Sequence, residues 1–245
     1  MMSALALIAA LQSPPSLGRI QPLTLKDDRA CTADRSLCVG LTQQSRDGEP
    51  VFSPVVRAPD ALPAAPEDAS GEVEIYRPWV RLVRLANGER LAGVEMESRS
   101  LYSGGGGQAS ELRLYRLDAN GDAGAAPVLT VPLQGSLIIR ACFSEQDMEQ
   151  RAGACHDEYN FAATLIATGA AGEMPVLDYS TTATAYPRGA SRSEDSLEKP
   201  PLKPADLVAV RDPKCSFSRR FTFDAAAGEY RPDRKLPDCS DYTTP

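Results

Sequence analysis

The chain has 245 residues and a formal net charge of −7, from 33 acidic against 26 basic residues. That balance offers no basic surface for phosphates and argues against a nucleic-acid partner. A hydrophobic content of 42% allows a sizeable core, while 6% aromatics, 20 prolines and 18 glycines point to short elements joined by many turns.

Ala4 to Leu11 is an apolar run of signal-peptide length, too short to span a bilayer, although Met1 to Ser3 bring no basic residue. Residues 1–18 are therefore read as a signal peptide cut between Leu11 and Gly18. No other stretch approaches transmembrane length, so no membrane span is expected. Ile20 to Leu25 and Val39 to Thr42 flank the loop between Cys31 and Cys38, an N-terminal clasp over 19–43. Residues 44–71 read as a proline-rich linker with one edge segment at Val51 to Val56. The main β domain is placed at 72–245.

It opens with a hairpin on Asn87-Gly88, read as a type I′ turn between Trp79–Ala86 and Glu89–Ser98. In the second arm Val94 and Met96 face one way, Glu95 and Glu97 the other. Gly104 to Gly107 follow, either a mobile hairpin tip or a place of close backbone approach. Leu112 and Leu114 alternate with polar neighbours; Val128 to Leu133 is a strand, and Gln134-Gly135 leads into another over Ser136 to Phe143. The excursion from Ser144 to Cys155 has room for one helical turn, with Ser144 and Asp147 at capping-box spacing. Glu158 to Thr168 and Val176 to Tyr186 alternate as strands, and Phe217, Phe221 and Phe223 share a face near the end. About nine or ten short strands give an all-β fold with little helix, an antiparallel sandwich or a partly open barrel.

Six cysteines at 31, 38, 142, 155, 215 and 239 fall in three close pairs, none with C-x-x-C spacing. The simplest framework is Cys31–Cys38, Cys142–Cys155 and Cys215–Cys239, which places the protein in the periplasm or outside the cell.

Catalytic signals are weak. His156 is the one histidine; with Glu158, Asp147, Glu149 and Asp157 it could form an acid–base or metal group, but a solvated loop rim beside a disulfide explains the cluster better. Ser196 and Lys199 match S-x-x-K within a polar loop, and no G-x-S-x-G elbow occurs. Asp118 to Asp122 lacks the glycine and glutamate of a calcium loop and reads as a turn. No catalytic residue, metal or cofactor is assigned.

The remaining candidate is Tyr102, Ser103, Gly104, Gly105, Gly106, Gly107 and Gln108, a recognition loop or a plain connection. The segment VEMESRSLYSGGGGQASELRLYRL resembles the strand–loop–strand portion of periplasmic inhibitors of C-type lysozyme. That resemblance implies a loop inserted into a hydrolase cleft, with Ser98, Tyr102, Ser103 and Gly104 as counterparts. The leading expectation is an exported, non-catalytic protein with a binding or structural role and a protein or glycan partner. Inhibition of a cell-wall hydrolase is the alternative, and a hydrolase using Asp147 and Glu158 is third.

Overall fold

The protein is represented by a computed structural model that describes residues 18–69, 73–85, 87–168, 174–194 and 198–245. The apolar run at 4–11, Ala86 and Ser196 lie outside these residues. Fourteen strands are present among them: β1 (Ile20–Pro22), β2 (Thr24–Lys26), β3 (Arg29–Cys31), β4 (Cys38–Arg46), β5 (Glu49–Arg57), β6 (Glu74–Arg84), β7 (Arg90–Tyr102), β8 (Gly105–Leu117), β9 (Leu129–Arg140), β10 (His156–Thr168), β11 (Val176–Tyr186), β12 (Val210–Arg211), β13 (Ser218–Asp224) and β14 (Glu229–Pro232). Ten make one sheet in the order β1-β6-β7-β8-β9-β10-β11-β13-β14, with β12 beside β11; β2-β3-β4-β5 make a second. Every pairing is antiparallel and no barrel closes, so the all-β architecture is as expected, with more strands. Helix is confined to α1 (Glu145–Gln150) and α2 (Ser240–Thr243), apart from single 3-10 turns. No helix among the described residues is long and apolar enough to cross a membrane.

The small sheet lies against the large one. Val39, Leu41, Phe52 and Val56 pack on Leu82, Ala92, Val94, Tyr115 and Leu117. Of the linker reading of 44–71, the edge segment at Val51 to Val56 holds but is longer: residues 44–46 complete β4 and 49–57 form β5, burying Phe52, Val55 and Val56. Pro50 and Pro54 are tolerated because β5 is an edge strand, where a missing N–H costs no ladder bond. The Asp118 to Asp122 turn fastens this edge. Val56 N–H donates to the Gly121 carbonyl (2.9 Å), and Arg57 bonds the Asp122 carboxylate at 2.6 Å. Gly121 has φ +84°, and a Cβ there would sit 2.2 Å from the Val56 carbonyl oxygen.

Three corrections concern the large sheet. The Asn87-Gly88 hairpin is not type I′: only Gly88 has positive φ, and the last strand pair is Arg84 with Arg90. Asn87 instead caps locally, its Oδ1 accepting from Glu89 N–H (3.1 Å). Second, Gln134-Gly135 joins no separate strands, because β9 runs unbroken through it with a register shift opposite Ser110 and Glu111. Third, of the two readings of the glycine run the mobile tip fails for Gly105 to Gly107: they are the start of β8, Gly105 paired with β7 and Gly106 and Gly107 with both β7 and β9.

The β9 irregularity decides which face is wet. Below it, Leu129 and Val131 are buried with Leu112, Leu114, Tyr179 and Phe221 in the main core. Above it, Gly135 and Leu137 are buried on the opposite face, with Tyr159, Phe161 and Tyr242, while Gln134, Ser136 and Ile138 are exposed. One face of β7–β11 is thus core at one end and open at the other.

The three disulfides pair as the spacing predicts, with Cα–Cα distances of 4.0, 4.8 and 5.7 Å along the chain, and no cysteine among the described residues is free.

Candidate binding face

Antiparallel partners directly opposite each other share a face, so the registers assemble the open face row by row. Glu97, Ser110, Gln134, Ala162 and Thr182 form one row across β7 to β11. Arg99, Gln108, Ser136, Asn160 and Thr184 form the next, and Leu101, Gly106, Ile138, Glu158 and Tyr186 the last. The first two rows apart from Arg99, together with Glu95, line a trough of about 370 Å³. Its polar lining groups are amides, hydroxyls and carboxylates, set among Ala109, Gly135, Phe161 and Ala162. Glu97 is met by Arg99 at 2.5 Å and by Arg77 at 3.5 Å, which leaves Glu95 as the carboxylate in the trough without an ion pair. Ser110 is 7% exposed, and its Oγ has no hydrogen-bond partner.

The third row belongs to the hairpin end. Tyr102 pairs with Gly105, leaving a two-residue tip, Ser103-Gly104, with Gly104 at φ +92°. A Cβ on Gly105 would lie 2.3 Å from the Ile138 carbonyl oxygen and 2.7 Å from the Tyr102 ring. The glycines therefore serve close approach. Tyr102, 42% exposed, lies over that glycine and donates its hydroxyl to the Ile138 carbonyl at 3.2 Å. Beside it Phe143 is 74% exposed, while Leu101, 91%, and Ile138, 45%, stand on the open face of the same end. The Arg140 guanidinium sits 4.9 Å from the Phe143 ring centre and donates to the Cys142 carbonyl (2.7 Å). The predicted residues Tyr102 to Gln108 are thus brought together as one strand end; Tyr102 and Gly105 belong to the face opposite Gly106 and Gln108.

The acid–base cluster is taken apart. Ser144 caps α1 by accepting from Asp147 N–H at 3.1 Å, and Asp147 in turn accepts from Phe143 N–H at 2.7 Å. Asp157 is buried in an ion pair with Arg151, which also donates to the Ala154 carbonyl (2.8 Å). Burial pushes the Asp157 carboxyl above its ordinary range, and the Arg151 charge opposes that shift. His156 and Glu158 share the open face, whereas Asp147 packs on the side of β10 that carries Asp157 and Tyr159. Asp147 and Glu158 therefore do not face one another. Lys199 is held by Glu194 (3.0 Å) and the Gly189 carbonyl (2.6 Å). Among the described residues no three His, Cys, Asp or Glu side chains are grouped to hold a metal ion.

Sequence reading missed the trough. Ser110, Gln134, Ser136, Asn160, Thr182 and Thr184 are scattered over four strands, each an ordinary polar residue on a wet face. Their polar alternation was visible, but only the pairing registers gather them. No family model, curated protein or solved structure matches this chain.

Proposed function

We propose that the chain is an exported, non-catalytic binding protein that engages a protein partner through the hairpin end of β7, β8 and β9. Three disulfides support an oxidising compartment. The observation that carries the reading is the exposure of Leu101 and Ile138, neighbours across Gly106 on backbone fixed by strand pairing, with Tyr102 and Phe143 exposed on the other side of the same end. Large apolar side chains on rigid backbone lose little freedom when covered, so burying them is efficient recognition. Arg99, Arg140 and Glu158 are brought to this end by the pairing registers, a mixed-charge set unlike the cationic excess that holds proteins to anionic lipid. A photo-crosslinking residue at position 101 should capture a discrete envelope protein, and the same residue at exposed Ile166 should not. Equal capture at both positions, or none at 101, refutes the reading. Within it, Tyr102 beside the Ser103-Gly104 tip favours inhibition of a cell-wall hydrolase as the activity. A lysozyme turnover assay with wild type and Tyr102→Ala tests that form directly.

A further inference from the structure

We infer that the trough across β7–β11 is a binding site for a short neutral oligosaccharide, a ligand distinct from the protein partner at the hairpin end. The first argument is chemical. Ser110, Gln134, Ser136, Asn160, Thr182 and Thr184 present amides and hydroxyls, groups that both donate and accept, as each sugar hydroxyl does. The second is spacing. Neighbouring strands stand about 4.8 Å apart and same-face residues about 6.7 Å apart along a strand, so the two rows form a regular grid about 19 Å long from β7 to β11. A chain of hydroxylated rings laid across the strands meets a polar group at each step.

Charge narrows the ligand. Arg77 and Arg99 neutralise Glu97, and Glu95 supplies one unpaired carboxylate able to accept from two hydroxyls. An anionic ligand finds no basic side chain lining the trough, and a divalent cation finds no three-ligand group among the described residues. The volume of about 370 Å³ lies in the range of small-ligand sites.

The third argument is Ser110. Its hydroxyl lies at the trough floor between Glu97 and Gln134, 7% exposed, with no partner. Buried hydroxyls are ordinarily hydrogen-bonded, because an unmade bond forfeits the solvation lost on burial. A ligand hydroxyl at the floor satisfies it once the Ser110 side chain turns outward. A residue kept for the fold alone is better an alanine at this place.

Nuclear magnetic resonance titration of the full chain tests this with cellotriose, maltotriose, triacetylchitotriose, trigalacturonate, spermidine and calcium. At least one neutral trisaccharide should shift the Ser110, Gln134, Asn160 and Thr182 amides and bind at least about tenfold more tightly than trigalacturonate. Asn160→Ala and Ser110→Ala should each weaken that binding at least about tenfold, with the Ser110→Ala melting temperature unchanged or raised. The inference is overturned if no neutral trisaccharide shifts these amides at about 10 mM. It is equally overturned if trigalacturonate, spermidine or calcium is preferred, or if both variants bind as wild type does.

Discussion

Gly135→Ala tests how the back of the trough is supported. Gly135 lies on β9 between Gln134 and Ser136, and α2 is pressed against its other face. A Cβ at 135 would lie 1.9 Å from the Tyr242 carbonyl oxygen and 3.5 Å from the Phe161 Cβ. Ordinary carbon–oxygen contact is about 3.4 Å, so α2 must withdraw by about 1.5 Å. That movement loosens Tyr242, which is 6% exposed and packs edge-on to Tyr159 with ring centres 5.7 Å apart. The Cys215–Cys239 bond joins the start of α2 to the loop before β13, so the helix tilts and does not leave. Forcing a methyl into such a contact costs about 2–3 kcal/mol, below the roughly 3–5 kcal/mol of removing a buried aromatic altogether. Urea unfolding of Gly135→Ala, Tyr242→Ala and the double variant separates the causes. Once Tyr242 no longer anchors α2, the methyl should cost little, so the double variant should fall short of additivity by at least about 1 kcal/mol. Additive losses within about 0.5 kcal/mol would show that Gly135 acts on β9 itself and that α2 is not the element displaced.

Three further outcomes follow from the same contacts. Arg151→Met strands the buried Asp157 carboxylate and should cost about 3–5 kcal/mol at neutral pH, whereas adding Asp157→Leu should restore most of it. Because burial raises the Asp157 pKa, its stabilisation is present below the unfolded value and lost as pH rises through the folded one. The Arg151→Met penalty should therefore shrink in acid; a penalty independent of pH contradicts the assignment. Replacing Cys142 and Cys155 together should lower stability by about 3 kcal/mol, through a loop closed over a sequence separation of 13, with the loss seen in urea unfolding. Asp34 accepts from the Thr32 hydroxyl and from Ser36, which brings its carboxyl down from 3.8 to about 2. Its contribution is present above the ordinary carboxylate range and disappears as pH falls through about 2; carboxyl-carbon titration placing Asp34 at an ordinary value would refute this.

Alternation, turn residues and cysteine spacing are local properties, and they carried the β class, the disulfide pairs, Val176 to Tyr186 and the Ser144 cap. Each is decided within a few residues or by one short loop. The full extent of a strand is not local: only Val51 to Val56 reads as an edge segment, because Pro50 and Pro54 count against a strand until β4 is known to lie on only one side of β5, Glu49–Arg57. The glycine run stayed open between a mobile tip and a close approach for a similar reason. Gly105 tolerates no Cβ because the Ile138 carbonyl, 33 residues later, occupies the space, and no composition records that neighbour. The trough is the furthest from local information. Ser110, Gln134 and Asn160 meet only because two registers and one β9 bulge align them and turn the wet side outward. The sequence by itself determined which segments pair as strands and which cysteines close loops, since chain-near contacts dominate both. Which face those strands leave open to a ligand was decided by long-range packing alone, because burial of one face depends on what the rest of the chain lays against it.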